Sequence, residues 1–381
     1  MPTNTDPSSD VLETIYTIAL AQASLYNQAP MLLLYRTLGS ATAIVERRDH
    51  LDELLTHVPE RFNALFSDFN EYLVHAQREY QWAVENDIQP IAYNDDRYPK
   101  RLRECPDAPM MVFKKGNAEL NTRHIVSIVG TRNATAYGQD LIRHLMADLR
   151  LLCPDIVVVS GLAYGIDICA HRECLNNQLS TIGVLAHGLE YIYPSRHIVT
   201  AKEMLGNGAL VTEYVRGSKA DKLNFVRRNR IVAGMTDATI VVESAEKGGA
   251  LITARLARDY NREVFAFPGA VTAPFSKGCN NLIRDNIASL ITSADDLITA
   301  LGWAAPAAGN KPTAVERELF PQLTDDEQAV VDVLMKENDQ LINVLAVKTG
   351  IALGPLTALL FSLEMKGVVR PLAGGTQHLL I

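Results

Sequence analysis

Ile125-Val126-Ser127-Ile128-Val129-Gly130-Thr131-Arg132-Asn133-Ala134-Thr135-Ala136-Tyr137-Gly138 is the stretch on which the reading of this chain turns. An apolar run of strand length ends in glycine, a polar loop follows, and a helix is expected to start near Gly138. Such a strand–turn–helix crossing directs free backbone N–H groups and the positive end of a helix dipole at one spot, which makes an anion site. Arg132 and the hydroxyls of Thr131 and Thr135 add donors suited to phosphate oxygens.

The same texture recurs outward from this crossing. Ile156–Val159, Thr181–Leu185, Ala209–Val211, Thr239–Val242 and Glu263–Phe267 are short apolar runs separated by helical stretches. Strands too apolar to have a wet face, alternating with helices, make a parallel sheet covered on both sides. The fold class expected is α/β, an extended Rossmann-like parallel sheet over residues 87–301. Residues 1–86 have apolar positions at three- and four-residue spacing, with breaks at Pro30 and Gly39-Ser40, and read as a small helical domain. Residues 302–322, rich in Ala, Pro and Gly, read as a linker.

Residues 323–381 begin with Thr324-Asp325-Asp326-Glu327, a capping-box signature. Three helices are expected there, then a hairpin from Val368-Val369-Arg370 to His378-Leu379-Leu380 through Gly374-Gly375. That is a winged-helix order. Its expected recognition helix, Gly354-Pro355-Leu356-Thr357-Ala358-Leu359-Leu360, carries no Arg or Lys. Reading DNA needs donors to phosphate and base edges, so a structural or protein-contact role fits this unit better.

The chain has 381 residues, 48% of them hydrophobic and 21% charged, with a formal net charge of −8. Its cysteines, at 105, 153, 169, 174 and 279, form no CxxC pair, so neither a metal site nor a disulfide framework is expected. Met1 to Asp10 is polar and lacks a signal-peptide pattern, and no apolar run is long enough to span a bilayer. A cytoplasmic protein with reduced thiols is expected. The acidic total argues mildly against nucleic acid, yet Glu213 to Arg230 holds six basic residues against two acidic, a local net charge of +4.

Three further loops carry chemistry. Ser160-Gly161-Leu162-Ala163-Tyr164-Gly165-Ile166-Asp167 ends a strand without the acid that would bind a ribose hydroxyl, and the first loop is not GxGxxG. A dinucleotide cofactor is therefore not expected. Asp167 and His171 share a helix face, either as an acid–base pair or as a helix-start aspartate beside a structural histidine. Phe225 stands beside Arg227, Arg228 and Arg230, an aromatic among cations that suits stacking on a base and neutralising phosphates. The alternative is that Phe225 is core and the arginines pair with acids. Last, Glu243-Ser244-Ala245-Glu246-Lys247-Gly248-Gly249 ends a strand with two glycines before a helix, at the same carboxyl edge as the first loop.

Together these loops resemble the DNA-processing protein A (DprA, or Smf) family. Gly130 to Thr135, Ser160 to Asp167, Asn224 to Ile231, Gly248 to Ala254, Phe267-Pro268-Gly269 and Lys277-Gly278-Cys279-Asn280-Asn281-Leu282-Ile283 fall in that family's order. The helical (SAM-like) front and winged-helix tail also resemble the family's accessory domains. The resemblance implies a protein, not an enzyme, that binds single-stranded DNA, dimerises and helps load RecA recombinase in natural transformation, without a metal or cofactor. It implies that Arg132 holds phosphate, Phe225 stacks on a base, Arg227 and Arg228 line the groove, and Gly248-Gly249 offers backbone donors. The candidate nucleic-acid-binding residues are then Gly130, Thr131, Arg132, Thr135, Gly161, Phe225, Arg227, Arg228, Asn229, Gly248, Gly249 and Thr253. Ala250 departs from a frequent serine and Val226 from a frequent proline. The rival reading is a phosphoribohydrolase-like enzyme on a related sheet, with Glu243 and Glu246 as general acids.

Overall fold

The computed structural model describes residues 9–25, 28–48, 50, 66, 69–303, 323–372 and 375–380. The chain divides into two units, Met1–Pro306 and Ala307–Ile381. The expected linker, 302–322, lies outside the described residues from 304 onward.

In the first unit, helices α1 (Ser9–Ala23), α2 (Gln28–Leu38), α3 (Ala41–Glu46) and α4 (Phe69–Glu85) precede the first strand among the described residues. Pro30 falls in the first turn of α2, where its missing N–H costs no helical bond, so it is no break. Gly39-Ser40 is one: Gly39 has φ of 82°, and the Ser40 hydroxyl caps α3. A nine-stranded sheet follows. Its strands are β1 (Gln89–Ala92), β2 (Met111–Gly116), β3 (Ile125–Val129), β4 (Val157–Ser160), β5 (Ser180–Val184), β6 (Ala209–Thr212), β7 (Ala238–Val241), β8 (Glu263–Ala266) and β9 (Ser289–Leu290).

The order across the sheet is β1-β2-β6-β5-β4-β3-β7-β8-β9. From β6 to β9 every pairing is parallel, whereas β1–β2 and β2–β6 are antiparallel. The sequence reading missed β1, β2 and β9. Pro90 lies in β1, which an outer strand tolerates, Lys114-Lys115 interrupt the apolar signal of β2, and β9 is only two residues long.

Alternation along β3 explains the layering. Ile125 and Val129 face the core that holds Ile231, Val232, Leu251 and the N-terminal helices. Val126 and Ile128 face the opposite core, with Ile142, Met146, Ile166 and Leu297. The connecting helices are α5 (Lys100–Arg103), α6 (Ala136–Leu152), α7 (Ile166–Asn176), α8 (Ile198–Asn207), α9 (Lys222–Gly234), α10 (Gly249–Asp259), α11 (Lys277–Arg284) and α12 (Ala294–Ala300). Helices α9 and α10 cover one face and α6, α7 and α12 the other, as a doubly wound sheet requires.

The second unit contains α13 (Asp325–Lys336), β10 (Gln340–Leu341), α14 (Ile342–Thr349), α15 (Leu353–Met365), β11 (Val369–Pro371) and β12 (Thr376–Leu379). Strand β12 pairs with both β10 and β11, giving the winged-helix arrangement with its own core of Val330, Leu334, Leu345, Leu356, Leu360 and Leu363. The Thr324 capping box forms as the sequence indicates.

Candidate nucleic-acid interface

β3 is where the winding reverses: later strands are added first on one side (β4, β5, β6) and then on the other (β7, β8, β9). Open α/β sheets hold ligands in the crevice at the carboxyl ends of the strands flanking such a point. Here that crevice is filled from within. Glu243, just after β7, is 3% exposed, and its carboxylate accepts the Thr135 N–H at 2.9 Å and the Thr135 hydroxyl at 2.6 Å. The Glu243 carbonyl takes the Thr131 N–H at 2.7 Å. Thr135 is the N-cap of α6, so the positive helix end already has a carboxylate beside it. A side chain at Gly138 would collide with the Glu243 carboxyl, which is why glycine stands one turn into the helix.

The first loop's donors thus have, in part, an internal acceptor. The donors of Thr135 are spent on Glu243, the Thr131 carbonyl accepts the Ile166 N–H at 3.1 Å, and the Thr131 hydroxyl accepts the Asn133 N–H at 3.1 Å. Arg132 is the exposed charge of this loop. Its guanidinium lies over the Phe225 ring, 5.4 Å from the centroid, a cation–π contact across two elements.

The stretch around Phe225 is the helix α9, not a loop, with Asp221 as its cap. Helical spacing decides which arginines are presented. Arg228 does not line a groove: it is 4% exposed and donates to the carbonyls of Gly161 (2.6 Å) and Val184. Any side chain at Gly161 would strike its guanidinium. Burial pushes the Asp167 carboxyl up, with the nearby Arg228 charge opposing the shift. Arg230 also faces inward, paired with Glu213 at 2.5 Å and donating to the Asp107 carbonyl at 2.6 Å. Arg227, Asn229 and Phe225 are half-buried, whereas Arg216, Lys219 and Lys222 are exposed. The local charge of the segment is therefore only partly available at the surface.

Other expected residues are internal. Gly161 is buried, its N–H donating to Asp167 at 3.1 Å. Thr253 is 2% exposed, and its hydroxyl donates back to the Gly249 carbonyl at 3.4 Å. Gly248 caps α10 in extended conformation, Gly249 is exposed with open space around it, and Gly130 is half-buried. Neither Gly248 nor Gly249 has a positive φ, so the turn does not demand glycine for its backbone.

Asp167 and His171 share a helix but not a bond. Asp167 accepts from Gly161 and Ala163, and His171 Nδ1 contacts the Thr181 hydroxyl at 2.7 Å. Thr181 donates its own proton to the Val158 carbonyl, so His171 is the donor in that pair. Burial lowers its pKa to about 3. A structural histidine is the reading that survives. Among the described residues no group of three or more His, Cys, Asp or Glu is placed to hold a metal ion, and no single helix is long and apolar enough to cross a membrane.

The sequence reading overlooked the loop after β5. Tyr191 and Tyr193 are exposed there, and Tyr193 lies 5.8 Å from Phe225. Two tyrosines ahead of Pro194, at the carboxyl edge of an expected strand, were the available signal.

Comparisons with known proteins agree with this fold. Residues 89–302 match the family model of DNA recombination-mediator protein A, and residues 314–375 that of the DprA winged helix domain. The chain is 38% identical over 219 residues to the DNA processing protein DprA of Bacillus subtilis, covering 57% of this chain and 72% of that one. It is similar to the X-ray structure of DprA from Streptococcus pneumoniae, with a TM-score of 0.64 and 30% identity over 75% of this chain and 97% of that one. A DprA structure from Helicobacter pylori, described by its single-stranded DNA binding mode, is similar at a TM-score of 0.51 and 29% identity, over 56% of this chain and 95% of that one. With a family model matched over more than half its length, the chain belongs to the DNA recombination-mediator protein A family.

Proposed function

We propose that this chain is a DNA-processing protein that holds single-stranded DNA along the carboxyl edge of its sheet. It protects an incoming strand and helps load RecA recombinase during natural transformation, acting as a cytoplasmic homodimer and catalysing no reaction itself. The observation that carries the reading is the exposed Arg132 lying over Phe225, a cation of the kind that suits phosphate beside an aromatic ring. Lys222 adds exposed charge at the start of the same helix, and Lys219 just before its cap. The binding described for the Helicobacter pylori relative supports it.

The candidate contacts narrow to Arg132, Phe225, Arg227, Asn229, Gly248 and Gly249, with the exposed lysines. The winged-helix unit is assigned to structure or protein contact. A phosphoribohydrolase is disfavoured because Glu243, its proposed acid, is bound to Thr135 in the crevice where a nucleotide phosphate would sit. The test is a titration of the whole chain with single- and double-stranded oligonucleotides over a range of salt. Preference for the single strand, with log K falling linearly in log salt, is expected. Equal affinity for duplex would sink the reading.

A further inference from the structure

Phe225 is half-buried, with Arg132 over its ring and Tyr193 5.8 Å away at an interplanar angle of 51°. Tyr193 is the more open of the two rings, at 47% exposed. Its root is fixed. The Tyr193 N–H donates to His187 Nε2 at 3.2 Å, while His187 Nδ1 donates to the Gly188 carbonyl at 2.8 Å. His187 is buried and stacks on Tyr191, with centroids 4.4 Å apart and planes 20° apart. The Tyr191 hydroxyl donates to the Ser218 carbonyl at 3.2 Å and accepts the Ala220 N–H at 2.9 Å. The loop after β5 is thus tied to the segment carrying Lys219 and Lys222. Tyr164, 42% exposed, meets His197 edge-on at 5.0 Å, on the neighbouring loop after β4.

We propose that Tyr193 is a base-stacking platform, taking an unpaired nucleobase next along the strand from the phosphate held by Arg132, with Phe225 supporting its ring. The inference rests on the single-strand reading above. An open ring on a fixed backbone, one aromatic ring away from the exposed Arg132, matches what a strand of alternating bases and phosphates presents. A duplex offers no free base face to such a ring, because its bases are already stacked on one another. The ring carries no charge, so it contributes affinity without releasing counterions.

The experiment measures oligothymidylate binding by fluorescence anisotropy across salt for the full chain and for Tyr193→Ala, Tyr193→Leu, Tyr193→Phe and Arg132→Ala. Tyr193→Ala is expected to weaken binding about tenfold without changing the salt slope. Tyr193→Leu, which keeps apolar bulk but no ring, should lose as much and serves if the alanine variant does not fold. Tyr193→Phe should bind as the parent does. On an abasic oligonucleotide, parent and Tyr193→Leu should bind alike. If Tyr193→Leu binds oligothymidylate as tightly as the parent while Arg132→Ala loses affinity, the platform is refuted and the single-strand reading stands. If the parent shows no preference for single strands, that reading fails and the platform with it.

Discussion

The Glu243 carboxylate and Thr135 form a closed pair across the switch point of the sheet, one oxygen taking the N–H at 2.9 Å and the other the hydroxyl at 2.6 Å. An internal anion thereby occupies the position where related sheets receive a ligand phosphate. What remains for an external ligand lies outward from it, at Arg132 and the aromatic residues beside it.

Removing that anion should cost stability more than DNA affinity. Glu243→Ala takes the acceptor from two part-buried donors of Thr135, and because Thr135 itself is open to water the loss is about 0.5–1.5 kcal/mol. Urea unfolding should show it as a lower midpoint. The affinity of the folded variant for single strands should match that of the parent, and a large loss of affinity at unchanged stability would contradict the placement of Glu243.

Arg132→Ala tests the outer contact. One phosphate contact fewer should lower the salt slope of single-strand binding by about 0.7, the contribution of a single neutralised phosphate. Affinity should fall alongside, while the unfolding midpoint changes little because Arg132 is exposed. An unchanged slope would remove Arg132 from the phosphate path.

Arg228→Met should behave in the opposite way. It removes the donor to the Gly161 and Val184 carbonyls and leaves Asp167 buried without its nearby cation. The expected loss of stability is about 1–3 kcal/mol for each buried carbonyl left without its donor. Thermal or urea unfolding checks it, and wild-type stability with weakened DNA binding would restore Arg228 to the groove.

Acid should weaken the fold through His171. Its pKa falls to about 3, chiefly because burial disfavours the charged imidazole, with the charges of His197 and Arg228 acting in the same direction. The native pKa lies below the unfolded value of about 6.5, so the stabilisation is complete above that pH and is lost as pH falls toward 3. The slope is about 1.4 kcal/mol per pH unit, or about 2 kcal/mol by pH 5. Burial raises the pKa of Asp167, whose protonation therefore favours the native state in acid. Comparing urea midpoints at pH 7, 6 and 5 with those of His171→Gln isolates the histidine: the parent should lose more stability than the variant.

Much of the fold was legible because each buried strand is a short apolar run closed by glycine or a polar residue. The runs at Ile125–Val129 and Glu263–Phe267 needed no further context. Strands β1 and β2 escaped because their signal is broken by Pro90 and Lys114-Lys115. At the candidate site, the exposure of Arg132 could be read from its place in the loop after a strand. Arg228 could not, since a buried and an exposed arginine look alike until the helical phase of α9 is known. Thr135 misled for a related reason: its donors suit phosphate and carboxylate equally, and the carboxylate that takes them comes from 108 residues further along the chain. Tyr193 lacked any periodic pattern, and only the packing around His187 gives it meaning.

The helical layer has a consequence for the basic segment. The Arg216 N–H donates to Glu79 of α4 at 2.9 Å, and the Arg216 guanidinium lies 5.3 Å from the ring centre of Trp82 on the same helix. Glu79 is 6% exposed, so the anchor is internal. Local opening of α4 would release that amide to hydrogen exchange and loosen the hold on the segment carrying Lys219 and Lys222, even with the sheet still folded. The front of the chain thus bears on how often this part of the surface opens.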